Sequence, residues 1–128
     1  MRMLLKAGLI ALIALASTWL LAFGISNYSD YRAASETTLW LSAARAMLSE
    51  LESDVVSGVR IDKSDPRVVR YLGAIATIDQ FEIRPSGDLF IRGGRDGQFI
   101  YLIAEQNENK ITWRCVGGSR HAMPVACK

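Results

Sequence analysis

Residues 7–25 contain no charged side chain, and only Ser17 and Thr18 among them are clearly polar. As a helix rising about 1.5 Å per residue, the stretch would span roughly 28 Å, close to the hydrocarbon thickness of a bilayer. Nine of its nineteen residues are Leu, Ile or Phe. At about 0.3–0.6 kcal/mol each, they favour insertion by roughly 3–5 kcal/mol. The stretch therefore reads as a membrane anchor or a signal sequence. What remains of the 128 residues is enough for one domain.

The formal charge of +2 resides in Arg2 and Lys6, ahead of the apolar run; the rest of the chain carries thirteen basic and thirteen acidic residues. The positive-inside rule keeps residues 1–6 cytoplasmic and sends residues 26–128 across the membrane. A charge-balanced exterior domain lacks the basic face that nucleic-acid binding requires, so no nucleic-acid partner is expected. A secretory reading uses Ala14-Leu15-Ala16 as a cleavage site and starts the mature chain at Ser17. That cut would leave Trp19-Leu20-Leu21-Ala22-Phe23 as an apolar mature terminus, so a retained anchor is the preferred expectation.

From Ile25 to Gly58 no strong helix breaker intervenes, and the first proline is Pro66. Leu41, Ala44, Leu48, Leu51 and Val55 recur at spacings of three and four, which defines an apolar stripe; Arg32, Glu36, Arg45, Ser49 and Glu52 fall mostly away from it. One helix of roughly fifty residues is expected, with Gly24 and Ser26 the places for a bend. Ser57-Gly58 ends it. Asp65-Pro66 then caps and starts a short helix over residues 67–72, closed by Gly73.

Residues 77–83, 88–92, 99–105 and 110–116 are rich in Ile, Phe, Tyr, Thr and Trp. They are separated by Pro85-Ser86-Gly87, by Gly93-Gly94-Arg95-Asp96-Gly97 and by Asn107-Glu108-Asn109. This punctuation predicts an antiparallel meander of three or four strands, one face of which receives the amphipathic helix. The expected fold class is α+β.

Cys115 and Cys127 are the only cysteines. A bridge between them closes a small loop worth about 3 kcal/mol in the chain-entropy model. Two cysteines and the single His121 lack the spacing of a zinc site, and Cys-x-x-Cys is absent. Arg120 and His121 lie inside the loop and are the candidates for surface contacts. The glycine-rich 93–97 segment sits between strands rather than ahead of a helix, so it reads as a hairpin and not as an anion cradle. Glu50, Glu52 and Asp54 point in different directions on a helix. No nucleophile elbow, metal-ligand set or cofactor motif is present, and the expectation is a non-enzyme without cofactor or small-molecule substrate.

In layout the chain resembles a type IV pilin or pilin-like protein. Asn27-Tyr28-Ser29-Asp30-Tyr31-Arg32-Ala33 is similar to the tyrosine-bearing turn after that family's apolar half-helix. Ile111-Thr112-Trp113-Arg114-Cys115 with Met123-Pro124-Val125-Ala126-Cys127 is similar to its last strand and closing loop. The resemblance implies an inner-membrane protein with a periplasmic domain, at the pilus or cell surface when assembled, whose partners are the membrane and other pilin or pilus-assembly proteins. It implies leader processing between Gly8 and Leu9. It also implies packing between subunits through Leu12, Leu15, Trp19, Phe23, Tyr28, Tyr31 and Trp40, with Trp40 equally suited to packing on the protein's own sheet.

The chain departs from the family pattern in one respect of physical weight. Pilins carry a glutamate a few positions into the apolar helix, whereas here residues 9–13 hold no acid and the first acidic residue is Asp30. A carboxylate at that depth costs about 2.5–3.5 kcal/mol and seeks a partner, which in the family is a neighbour's terminal amine. An acid-free helix rests in the bilayer alone, so a minor or accessory role is expected rather than that of bulk subunit. The family's mid-helix proline is also missing. Mass spectrometry of the mature N-terminus separates the readings. Met1 signifies a static anchor, Leu9 pilin-type processing and Ser17 secretion, and the expected result is one of the first two.

Overall fold

The computed structural model describes residues 1–128 apart from the side chains of Phe23, Ile25, Ser26 and Asn27. It is α+β. Helix α1 runs Arg2–Val56, and a short helix α2, Pro66–Val68, continues as a wider turn over Val69–Gly73. Four strands follow: β1 Ile78–Ile83, β2 Leu89–Gly93, β3 Gln98–Asn107 and β4 Lys110–Gly118. The sheet is an antiparallel meander in the order β1-β2-β3-β4. By contacts the chain divides into two units, Met1–Tyr31 and Arg32–Lys128. That boundary falls inside the tyrosine-bearing turn of residues 27–33.

Helix α1 stops where the sequence predicts. Gly58 takes a φ of 73°, the Gly58 N–H donates to the Val55 carbonyl and the Val59 N–H donates to the Asp54 carbonyl. This pair of bonds satisfies two of the carbonyls that a helix end leaves open, and the left-handed residue is one that glycine adopts freely. Gly24, an expected bend, is helical; Ser26 lies outside the described side chains. At the start of α2 the Asp65 Oδ1 accepts from the Arg67 N–H at 2.9 Å, with Pro66 at the first helical position.

The core lies within the second unit. Thr37, Trp40, Ala44, Met47 and Leu51 on α1 are all fully buried, together with Leu89 and Ile91 of β2, Ile100 and Leu102 of β3, and Val68 and Leu72. The buried helix face is thus centred on 33-37-40-44-47-51. The expected stripe of Leu41, Ala44, Leu48, Leu51 and Val55 forms its flank, and Val55 is only half-buried. The shift arises because Trp40 and Met47 supply more apolar area than Leu41 and Leu48, so the helix turns them to the centre.

Two buried polar side chains belong to this face. Thr37 Oγ1 donates to the Ala33 carbonyl at 3.0 Å. Gln98 donates through Nε2 to the Ala33 carbonyl and to Glu36, both at 3.3 Å, and accepts from the Asp96 N–H. Burying them unpaired would cost about 1–3 kcal/mol each, so the helix and the β2–β3 hairpin are joined by polar bonds as well as by packing. A β-carbon on Gly94, which has a φ of 72°, would lie 2.3 Å from the Gln98 side chain.

The core face of β4 holds Ile111, Trp113 and Cys115, and Trp113 Nε1 donates to the Gly87 carbonyl at 3.1 Å. The Cys115–Cys127 disulfide is formed, with Cα atoms 4.6 Å apart. Strands β3 and β4 run two residues further than the sequence suggests, because their register continues unbroken from Phe99↔Gly118 to Asn107↔Lys110.

Trp40→Ala should lower the unfolding free energy by about 3–5 kcal/mol, and a Cys115→Ser, Cys127→Ser double variant by about 3 kcal/mol, in urea titrations of the full chain in micelles followed by circular dichroism. Tyr31→Ala, which alters an exposed residue, should stay within about 0.5 kcal/mol of the parent.

Candidate interaction surfaces

In the first unit, Arg2–Ala22 is a helix long and apolar enough to cross a membrane, and its side chains are exposed throughout. The expected packing residues Leu12, Leu15 and Trp19 are 67%, 64% and 77% exposed. Its two hydroxyls are satisfied within the helix: Ser17 Oγ donates to the Ile13 carbonyl at 2.8 Å and Thr18 Oγ1 to the Ala14 carbonyl at 2.6 Å. Neither therefore needs water or a partner, which suits a hydrocarbon surrounding. Gly8 and Leu9, the candidate processing point, lie on the exposed helix, and Phe23 is outside the described side chains. Tyr28 and Tyr31 are exposed.

Trp40 was expected either between subunits or on the protein's own sheet; it is completely buried in its own domain, and its Nε1 donates to Thr77 Oγ1 at 2.8 Å. An indole with its ring in the core and its one donor engaged has nothing left to offer a neighbour.

The C-terminal loop is pinned from inside. Ala122, Met123 and Cys127 are buried, while Arg120 and His121 are exposed on the short turn Arg120–Ala122. The two polar side chains are thus displayed on a loop whose backbone is held by the bridge and by two apolar plugs, a geometry that costs little entropy on contact.

A surface not anticipated from the sequence is the outer face of the sheet. Phe90 packs against Phe99 and Tyr101 with ring centroids 6.0 and 6.3 Å apart, and the Arg84 guanidinium lies 5.6 Å from the Tyr101 ring centre. Phe99 and Val116 are 40% and 42% exposed. An antiparallel sheet covered on one face ordinarily turns polar residues outward, so this aromatic patch departs from that pattern. The unbroken apolar run Phe99-Ile100-Tyr101-Leu102-Ile103, which fills both faces, was the signal for it.

The carboxylates of α1 disperse, as the helix geometry requires. Glu50 accepts from Arg70 at 2.6 Å and from Tyr71 at 2.5 Å, Glu52 accepts from the Ile111 N–H at 3.3 Å, and Asp54 pairs with Arg67 at 2.8 Å. Together they fasten the 66–73 segment and β4 to the helix. Among the described residues no group of three or more His, Cys, Asp or Glu side chains could hold a metal ion. Segment 93–97 forms the β2–β3 hairpin, with Gly94 and Gly97 at φ of 72° and 62°.

The Arg67 side chain, together with its N–H, holds the Asp65 carboxyl below its ordinary value, and the Glu50 hydrogen bond raises the Tyr71 phenol. A lowered acid contributes stability above its unfolded value and loses it as pH falls; a raised phenol contributes below its unfolded value and loses it as pH rises. The domain should therefore lose stability below about pH 3.9 and above about pH 10, and Asp65→Asn should flatten the acid limb measured by urea unfolding against pH. The chain matches no family model, no curated protein and no solved structure.

Proposed function

We propose that this protein is a minor or accessory type IV pilin-like subunit, anchored in the inner membrane by residues 7–25 and carrying its α+β domain in the periplasm. One observation above others supports the reading: the Cys115–Cys127 bridge ties the last strand of a helix-backed meander to the C-terminal turn, while the same helix bears an exposed apolar N-terminal half. Function in this reading is packing rather than chemistry. Leu12, Leu15 and Trp19 meet the helices of other subunits, Tyr28 and Tyr31 extend that contact beyond the bilayer, and Arg120 and His121 face outward.

A second reading is favoured by the absence of any acid before Asp30. It is a membrane-tethered periplasmic module that regulates or senses without entering a filament. The two separate in immunoblots of sheared filaments and membranes from the same cells. The subunit reading expects a band far below that of the main filament protein, the tethered reading expects the protein in membranes alone, and its presence as the dominant filament component overturns the minor role. Ile13→Glu, which adds a carboxylate costing about 2.5–3.5 kcal/mol in the bilayer, should raise the filament fraction several-fold. An unchanged fraction removes the missing acid as the explanation.

A further inference from the structure

Strand β1 forms one edge of the sheet, and among the described residues it pairs only with β2. The Arg84 N–H donates to the Asp88 carbonyl at 2.9 Å, which sets the phase of the ladder. Because bonded and non-bonded pairs alternate in an antiparallel ladder, Glu82 and Gln80 also turn their main-chain groups toward β2. Phe81 and Ile83 turn theirs away from the sheet.

Beside these open groups lies a cavity of about 560 Å³, walled by Arg60, Ile61, Asp62 and Lys63 on one side and by Glu82, Ile83 and Pro85 on the other. The opposite edge is different. There β4 carries Cys115, and the bridge to Cys127 packs the C-terminal turn against it. The C-terminal turn thus covers part of one edge, while at the other, among the described residues, the Phe81 and Ile83 main-chain groups carry no hydrogen bond and lie beside a groove.

The β1 side chains argue against a second copy in that groove. Two β1 edges exchange the most bonds when Phe81 of each faces Ile83 of the other, and this register sets Glu82 opposite Glu82. Like charges directly opposite destabilise a strand pair, whereas opposite charges stabilise it. Glu82 is exposed and among the described residues has no ion-pair partner, while Phe81 and Ile83 lean on the core and offer apolar neighbours.

We propose that the β1 edge and its groove receive an extended segment of a partner polypeptide as a fifth strand, with a basic residue opposite Glu82 flanked by apolar residues opposite Phe81 and Ile83. Main-chain bonds to Phe81 and Ile83 supply affinity, and the alternating side chains supply selectivity. Ile61 and Ile83 give the incoming apolar residues a surface to cover.

The test uses the full chain in micelles and a cyclic β-hairpin peptide that presents Thr-Val-Lys-Val-Thr along one edge, pre-organised so that little ordering entropy is lost on binding. Amide exchange at single residues, read by NMR, is the measurement. In the free protein the Phe81 and Ile83 amides should exchange rapidly while Glu82 is protected, and the peptide should slow both by at least about tenfold. The same peptide N-methylated at both valines should give no protection. A version with Glu in place of Lys should bind more weakly, and Glu82→Lys should reverse that preference.

Protection of Phe81 and Ile83 without peptide at every protein concentration would show the edge already covered by the chain itself and overturn the proposal. Protection that grows with protein concentration would assign the edge to a second copy and overturn it too. Equal protection by the methylated peptide, or none by the parent at millimolar concentration, would do the same.

Discussion

Everything in the second unit leans on one row of α1. Thr37, Trp40, Ala44, Met47 and Leu51 are fully buried, and the row lies against Leu89, Ile91, Ile100 and Leu102 from the two central strands. A meander of four strands with one apolar face is poorly stable without a cover, and a lone helix of this amphipathicity is no better. Each supplies the surface the other lacks. Trp40 matters most in this arrangement because it is large, lies near the N-terminal end of the domain portion of the helix, and uses its indole N–H to reach Thr77 just ahead of β1. The contact fixes the start of the sheet against the helix without leaving a buried donor unpaired.

Around that row the polar fastenings have a division of labour. Glu50, Asp54 and Asp65 hold Arg67, Arg70 and Tyr71, so the segment after the long helix folds back along it rather than trailing into solvent. Glu52 reaches the Ile111 N–H of β4, and Gln98 reaches the Ala33 carbonyl. Each exposed ion pair is worth little by itself, about 0–1 kcal/mol, and their combined role is to choose one position for the segment among many of similar packing. The aromatic patch of Phe90, Phe99 and Tyr101 lies on the opposite face of the sheet and takes no part in this scheme.

Much of the fold is legible in the residues because local chemistry and tertiary structure agree. Gly58 ends α1, Asp65 and Pro66 begin α2, and the glycine- and asparagine-bearing turns separate four strands close to the expected limits. What the sequence hid depends on comparing surfaces that only the fold brings together. Trp40 and Leu41 are adjacent and equally apolar by type; which one occupies the centre of the helix–sheet contact is settled by volume and by the acceptor at Thr77, thirty-seven residues away. The same limit applies to Gln98, a polar residue that becomes core because Ala33 and Glu36 receive it. The expected contact residues Leu12, Leu15, Trp19, Tyr28, Tyr31, Arg120 and His121 are exposed in the single chain.

The bridge between Cys115 and Cys127 joins partners twelve positions apart, and Cys115 sits within β4, opposite Leu102 of β3. No two strands pair with each other within the loop it closes, so the bridge shortens none of the connections that the meander itself must close. A reductant acting late would release the final turn and leave the meander standing. The redox step behaves as a latch on the last segment rather than on the strand pairings ahead of it.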